Sequence, residues 1–168
     1  GNLGDVMKES ARAALTYIRS RATQLGINPQ FYKDCDIHIH FPEGAVPKDG
    51  PSAGITVCVA LVSALTARPV RADIAMTGEI SLRGRVMAIG GLREKTMAAM
   101  RAGVKTVLIP ADNEADLAEI DQTVRQALNF IPTDHVDKIL DIVFEPESAE
   151  LSLCPPPAAA SERCGVRQ

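Results

Sequence analysis

The segment Pro47-Lys48-Asp49-Gly50-Pro51-Ser52-Ala53-Gly54 sets a serine at the head of a run of apolar residues. Gly50 can adopt backbone angles closed to other residues, and Pro51 fixes its own φ while supplying no competing N–H. Ala53 and Gly54 keep the start of the following helix sterically open, and orphan N–H groups at such an end can stabilise a negative oxygen. A nucleophilic serine needs these conditions: an exposed hydroxyl, held still, close to oxyanion donors. Two other readings fit the same residues. Serine favours the N-cap position, and a glycine-bearing loop before a helix can cradle phosphate. The G-x-x-x-x-G-K-[ST] pattern of a nucleoside triphosphatase loop is absent.

A serine hydroxyl is a poor nucleophile until a base takes its proton. The three histidines are His38, His40 and His135. His38 and His40 share one face of an expected strand just before the loop, so a histidine base stays open, beside the plainer reading of a structural or partly exposed pair. A lysine is the other choice, as in Ser-Lys variants of the catalytic triad. Lys95 stands in the first turn of the helix expected after Gly90-Gly91. The positive end of a helix dipole and burial both disfavour an ammonium there, and a base must be neutral to accept a proton. An ordinary surface lysine beside Arg93 and Glu94 is the competing reading. Lys48 is nearer in sequence but lies in the loop, where water keeps it charged.

The elements that must position these groups follow from periodicity. Leu3, Val6, Met7, Ala11, Ala14, Leu15 and Ile18 recur at helical spacing and predict a helix from about Leu3 to Gln24. Ile37, Ile39 and Phe41 alternate with Asp36, His38 and His40, the pattern of a strand. The run from Ser52 or Ala53 to Thr66 has almost no polar face and predicts a central, buried helix. Ala72–Ser81 and Arg85–Ile89 read as strands of a hairpin around Leu82-Arg83-Gly84. A helix from Leu92 to about Ala102 ends where Gly103 suits a C-cap. Thr106–Ile109 is a short strand, Glu114–Ile120 and Val124–Leu128 are short helices, Phe130-Ile131 is a weak strand, and Val136–Val143 is a last helix. Alternating strands and helices predict an α/β (α+β) domain of small mixed sheets with packed helices, including at least one parallel crossover.

The chain has 168 residues, of which 46% are hydrophobic, and a formal net charge of -3. This length suits one domain. No apolar run reaches the ~20 residues of a membrane span, and no basic stripe favours nucleic acid. Cys35, Cys58, Cys154 and Cys164 form no CxxC pair, so free thiols are expected rather than a zinc site or a disulfide scaffold. No signal peptide is visible, and the chain, which lacks a starting Met and opens directly on a helix, reads as a piece of something longer. From residue 146 onward, Pro155-Pro156-Pro157, three alanines and scattered charges predict a disordered tail.

Several motifs together resemble the proteolytic domain of Lon-type ATP-dependent proteases. Pro42-Glu43-Gly44-Ala45 and then Pro47 to Gly54 are similar to that family's nucleophile motif. Ala75-Met76-Thr77-Gly78-Glu79 with Leu82-Arg83-Gly84 is similar to its hairpin, and Ile89-Gly90-Gly91-Leu92-Arg93-Glu94-Lys95 to its lysine motif. Leu3 to Ser10 fits as well, and the likeness covers residues 1–145 as one domain lacking its first strands. The resemblance implies Ser52 as nucleophile and Lys95 as general base, Thr77 as a hydrogen-bonding support of Lys95, and Asp49 in a loop that remodels between inactive and active states. It implies protein and peptide substrates, a homo-oligomeric, usually hexameric ring, and a bacterial cytoplasmic location ahead of a mitochondrial matrix one. It places ATP and magnesium on an upstream ATPase module and no cofactor, metal, nucleic acid or membrane on this segment. Two other classes remain. A non-catalytic Lon-like scaffold would lack the serine or the lysine, and a small-molecule kinase would need an ATP loop and a metal-binding acid.

Overall fold

The computed structural model describes residues 1–146, so the predicted tail lies outside the described residues. Helix α1, Asp5–Arg21, buries Met7, Ser10, Ala11, Ala14, Tyr17 and Ile18 along one stripe. That i, i+3, i+4, i+7 spacing is what the apolar periodicity requires. The single turn α2, Phe31–Asp34, sets Phe31 into the core. Helix α3, Gly54–Thr66, buries Ile55, Val57, Cys58, Val59, Leu61 and Val62 against α1. It is not buried all round, because Thr56, Ala60 and Ala64 leave one edge exposed. Ala67, in the left-handed region at φ 56, ends it.

A three-stranded parallel sheet follows, in the order β1 (Ile74–Met76), β4 (Thr106–Pro110), β5 (Asn129–Thr133). Ile74 is in register with Thr106, and Thr106 in turn with Asn129. Between β1 and β4 come the antiparallel hairpin β2 (Glu79–Ile80) with β3 (Val86–Met87), then α4, Leu92–Arg101. Parallel strands need such a crossover, which the sequence had required. Helix α4 ends as expected at Gly103, whose φ of 77 allows its N–H to reach Met100 and that of Val104 to reach Ala99. A 3-10 segment, Ala111–Glu119, and helix α5, Gln122–Ala127, link β4 to β5, and α6, Val136–Val143, packs back on α3.

Side chains of β4 alternate between two cores, as the strand period demands. Leu108 joins α1, α3, α6 and the hairpin, whereas Val107 and Ile109 join Leu92, Ala99, Ile120, Val124 and Leu128. Cys58 and Cys35 are free thiols, the first buried so that its thiol is pushed up to about 12, the second exposed; Cys154 and Cys164 lie outside the described residues.

The expected strand Asp36–Phe41 is a correction. Its side chains do alternate, with Ile37, Ile39 and Phe41 packed on the core and Asp36, His38 and His40 exposed. Among the described residues, however, its backbone finds no neighbouring strand, and a strand exists only through its ladder partner. The predicted strand Ala72–Ser81 is likewise divided, since Thr77 and Gly78 leave β1 before the hairpin begins.

Candidate active site

Ser52 lies in the turn before α3, not on its cap. Ala53 occupies the cap position, and no side chain caps that end, so the N-cap reading of the serine does not hold here. The turn is pinned from three sides. The Gly54 N–H donates to the Pro51 carbonyl (3.1 Å), the Ser10 hydroxyl donates to the same carbonyl (3.0 Å), and the Gly78 N–H donates to the Ser52 carbonyl (2.9 Å). Both neighbouring glycines are required by space. A Cβ on Gly54 would come within 2.6 Å of Ser10 Oγ and 2.8 Å of Ile80 Cγ2, and one on Gly78 within 2.8 Å of Val86 Cγ1. The N–H groups of Ser52 and Ala53 make no backbone hydrogen bond among the described residues.

Lys95 approaches from the other core. Gly91, at φ 72, is the N-cap of α4, and its carbonyl accepts the Lys95 N–H. The Lys95 ammonium nitrogen lies 3.2 Å from Ser52 Oγ. Both side chains line a cleft of about 220 Å³ with Ala53, Thr56, Ala75, Met76, Thr77, Ala99 and Val107. Apart from Ser52, Lys95 and the two threonines, the lining is apolar and mostly small, with a few polar groups converging in one cleft as in a binding site.

The other expected residues fall at different distances from this pair. Thr77 is buried at 6% exposure, and its hydroxyl donates to the Ser52 carbonyl at 3.3 Å. In this arrangement it braces the serine's backbone, and its hydrogen bond does not go to Lys95. Asp49 hydrogen-bonds neither Ser52 nor Lys95. Its Oδ1 accepts from the Met7 N–H (2.9 Å) and the Gly50 N–H (2.8 Å), so that it closes the start of α1 from 42 residues away. Those N–H groups, Met7 first, hold its carboxyl below the ordinary 3.8. Lys48 donates to the carbonyls of Glu43 (2.7 Å) and Val46 (3.1 Å), within its own loop.

The histidines stand apart from the serine. His38 and His40 are exposed and line a second cleft with Ile39, Phe41, Ala60 and Leu61, which shares only Thr56 with the lining of the serine's cleft. His40 Nδ1 is 3.0 Å from the amino terminus. His135 bonds the Arg83 carbonyl and accepts from the Asp137 N–H at the start of α6.

Two supporting residues were missed from sequence. Ser10 falls on the buried stripe of α1, and a polar residue on an apolar stripe was a usable signal. Asn113, 3% exposed, accepts from the Ile89 N–H (2.9 Å) and donates to the Ile89 carbonyl (3.0 Å). Nothing local marks an asparagine whose partner is a main chain 24 residues away.

Known proteins match this chain along most of its length. The family model of the Lon protease (S16) C-terminal proteolytic domain matches residues 1–146. The chain is 62% identical over 140 residues to a Lon protease of Brevibacillus choshinensis, covering 83% of this chain and 18% of that protein. It is 56% identical over 153 residues to the Lon protease of Escherichia coli (strain K12), covering 91% of this chain and 20% of that protein. With Lon protease 1 of Bacillus subtilis (strain 168) it shares 59% over 141 residues, 84% of this chain and 18% of that protein. The chain therefore spans about a fifth of the length of the curated relatives it matches. A mixed α/β domain, with a serine turn and a lysine helix meeting in one cleft and this match over residues 1–146, belongs to the Lon protease C-terminal proteolytic domain family.

Proposed function

We propose that this chain is the proteolytic part of an ATP-dependent serine endopeptidase, with Ser52 as nucleophile and Lys95 as general base. The observation that carries the reading is the 3.2 Å approach of Lys95 Nζ to Ser52 Oγ inside an apolar-walled cleft. As Oγ attacks a peptide carbonyl, its proton passes to the neutral lysine amine. The carbonyl oxygen becomes an oxyanion, for which the N–H groups of the Ser52–Ala53 turn are the nearest candidates. The lysine ammonium then gives its proton to the leaving amine, and an acyl-serine remains. Water attacks that ester, Lys95 takes its proton and returns it to Oγ as the acyl–oxygen bond breaks, and the peptide leaves as a carboxylic acid with the serine hydroxyl and the lysine amine restored. Thr77 and Gly78, through the Ser52 carbonyl, keep the nucleophile's backbone from turning away.

The substrates proposed are unfolded stretches of damaged, misfolded or short-lived proteins. ATP and magnesium belong to an upstream module of the whole protein, which assembles as a ring, taken as a hexamer, in a bacterial cytoplasm. None of the helices among the described residues is long and apolar enough to cross a membrane. A non-catalytic scaffold has no use for a serine and a lysine held at hydrogen-bonding distance.

The test is cleavage of a fluorogenic peptide by the full-length protein, with labelling by a peptide boronate. Ser52→Ala is expected to abolish both while circular dichroism stays unchanged. Wild-type turnover by a Ser52→Ala preparation free of other proteases would overturn the assignment.

A further inference from the structure

We infer that Asn113 is a positioning residue for Lys95, acting through the main chain of Ile89; the inference rests on the dyad proposed above. Asn113 sits in the 3-10 segment that follows β4. All of its amide is in use. Oδ1 accepts from the Ile89 N–H, and Nδ2 donates both to the Ile89 carbonyl and to Asp116 Oδ2 at 2.6 Å. The side chain thus does for Ile89 what a neighbouring strand would do, satisfying both of its main-chain groups. The Asp116 carboxylate fixes which way the amide faces, because only the NH2 end can point at it.

Ile89 is separated from α4 by Gly90 and Gly91 alone. This link is loose by itself. Gly90 and Gly91 are exposed, a Cβ on Gly90 would meet nothing within 4 Å, and glycine restricts its own backbone least of all residues. Gly91 is nevertheless the N-cap of α4, and its carbonyl holds the Lys95 N–H. The helix entry therefore depends on what anchors the residue before the glycines: the Ile89 side chain packs partly on the smaller core, and Asn113 holds both of its main-chain groups. Leu92, the first residue of α4, is buried at that entry, and the body of the helix is secured independently by Thr96 and Ala99, which are buried, and by the turn at Gly103. Loss of the Asn113 anchor should leave the first turn held by side-chain packing without its main-chain anchor, so that it can shift while the helix persists. The dyad hydrogen bond, at 3.2 Å, is already near the long end of the usual range. A small shift would break it.

The experiment measures kcat and KM for a fluorogenic peptide in the full-length protein, with active sites counted by titration against a tight peptide boronate. Asn113→Ala is expected to lower kcat per titrated site by about 10- to 100-fold, the cost of misplacing a reacting group by roughly 1 Å, with KM nearly unchanged. Asp116→Ala, which frees the amide but leaves it in place, should show a smaller loss in the same direction. A residue that only stabilised the fold would reduce the number of active sites and leave each survivor at wild-type kcat. That outcome in Asn113→Ala overturns the inference, as does a loss confined to KM. Should Asn113→Ala fail to fold, Asp116→Ala decides, and wild-type kcat per site there overturns it. Ser52→Ala and Lys95→Arg run alongside. If either cleaves normally, the dyad itself is wrong and this inference falls with it. If both are dead while Asn113→Ala is fully active per site, only the role of Asn113 fails.

Discussion

Arginine in place of Lys95 keeps a positive charge near Ser52 but cannot give up its proton at working pH, since its pKa exceeds ~12. Lys95→Arg should therefore bind a peptide and fail to cleave it, with a loss of ~10²–10⁴ in single-turnover rate, the usual worth of a positioned base. Replacing His38 and His40 together by Gln should cost far less, because both are exposed and neither lines the serine's cleft. A dead double Gln variant beside an active Lys95→Arg would replace the lysine with a histidine. Asp49 is open to a different measurement. Its folded carboxyl titrates below the ordinary 3.8, so its stabilisation is fully present above that value and is lost as pH falls through the depressed one. Asp49→Asn should accordingly lower Tm at pH 7, and the gap to wild type should be smaller at pH 3. A gap of equal size at both pH values would mean that charge at the start of α1 is irrelevant. The proximity of Ser52 and Lys95 was legible only through the motif resemblance, since a Gly-Pro loop before one and a Gly-Gly link before the other also fit an N-cap serine and a surface lysine. The bonds of Thr77 to the Ser52 carbonyl and of Asp49 to the Met7 N–H were not, because those partners lie far off in sequence, on main-chain groups that carry no side-chain signature.

Among the elements, the helices α1, α3, α4 and α6 were legible from apolar spacing to within a few residues, and the parallel crossover followed from their alternation with strands. What could not be read was pairing. The alternation in Asp36–Phe41 reports which side chains face the core, and it does so correctly, but it says nothing of where the hydrogen bonds go. The hairpin β2–β3 shows how a tertiary contact can fix one residue. Gly84 has φ 84, and a Cβ there would come within 2.4 Å of Tyr17 Cε2 and 2.9 Å of His135 Cε1. Tyr17 cannot yield easily, because its hydroxyl donates to Asp137, which also accepts from Arg21. Gly84→Ala should therefore destabilise the domain by about 1–3 kcal/mol through overpacking and strain. Urea unfolding measures it, and a midpoint equal to wild type would show that the hairpin has room to move.

The molecule as a whole is two packed halves that share strand β4. Leu108, 0% exposed, is the share of that strand owned by the larger half. Leu108→Ala should cost about 2–5 kcal/mol, as buried Leu truncations do, and a cost under 1 kcal/mol in chemical denaturation would mean that the site collapses around the gap. Ser52 enters the cleft ahead of α3, which belongs to this larger half, while Lys95 rides on α4, which belongs to the smaller one. The separation of Ser52 Oγ and Lys95 Nζ is therefore a caliper set across a seam, and it reads any sliding of one half on the other. Local openings cost less than global unfolding, and the half with fewer buried residues should loosen first. Low concentrations of urea should then silence peptide cleavage before the circular dichroism of the helices changes. Loss of both signals at one midpoint would mean that the seam opens only when everything does.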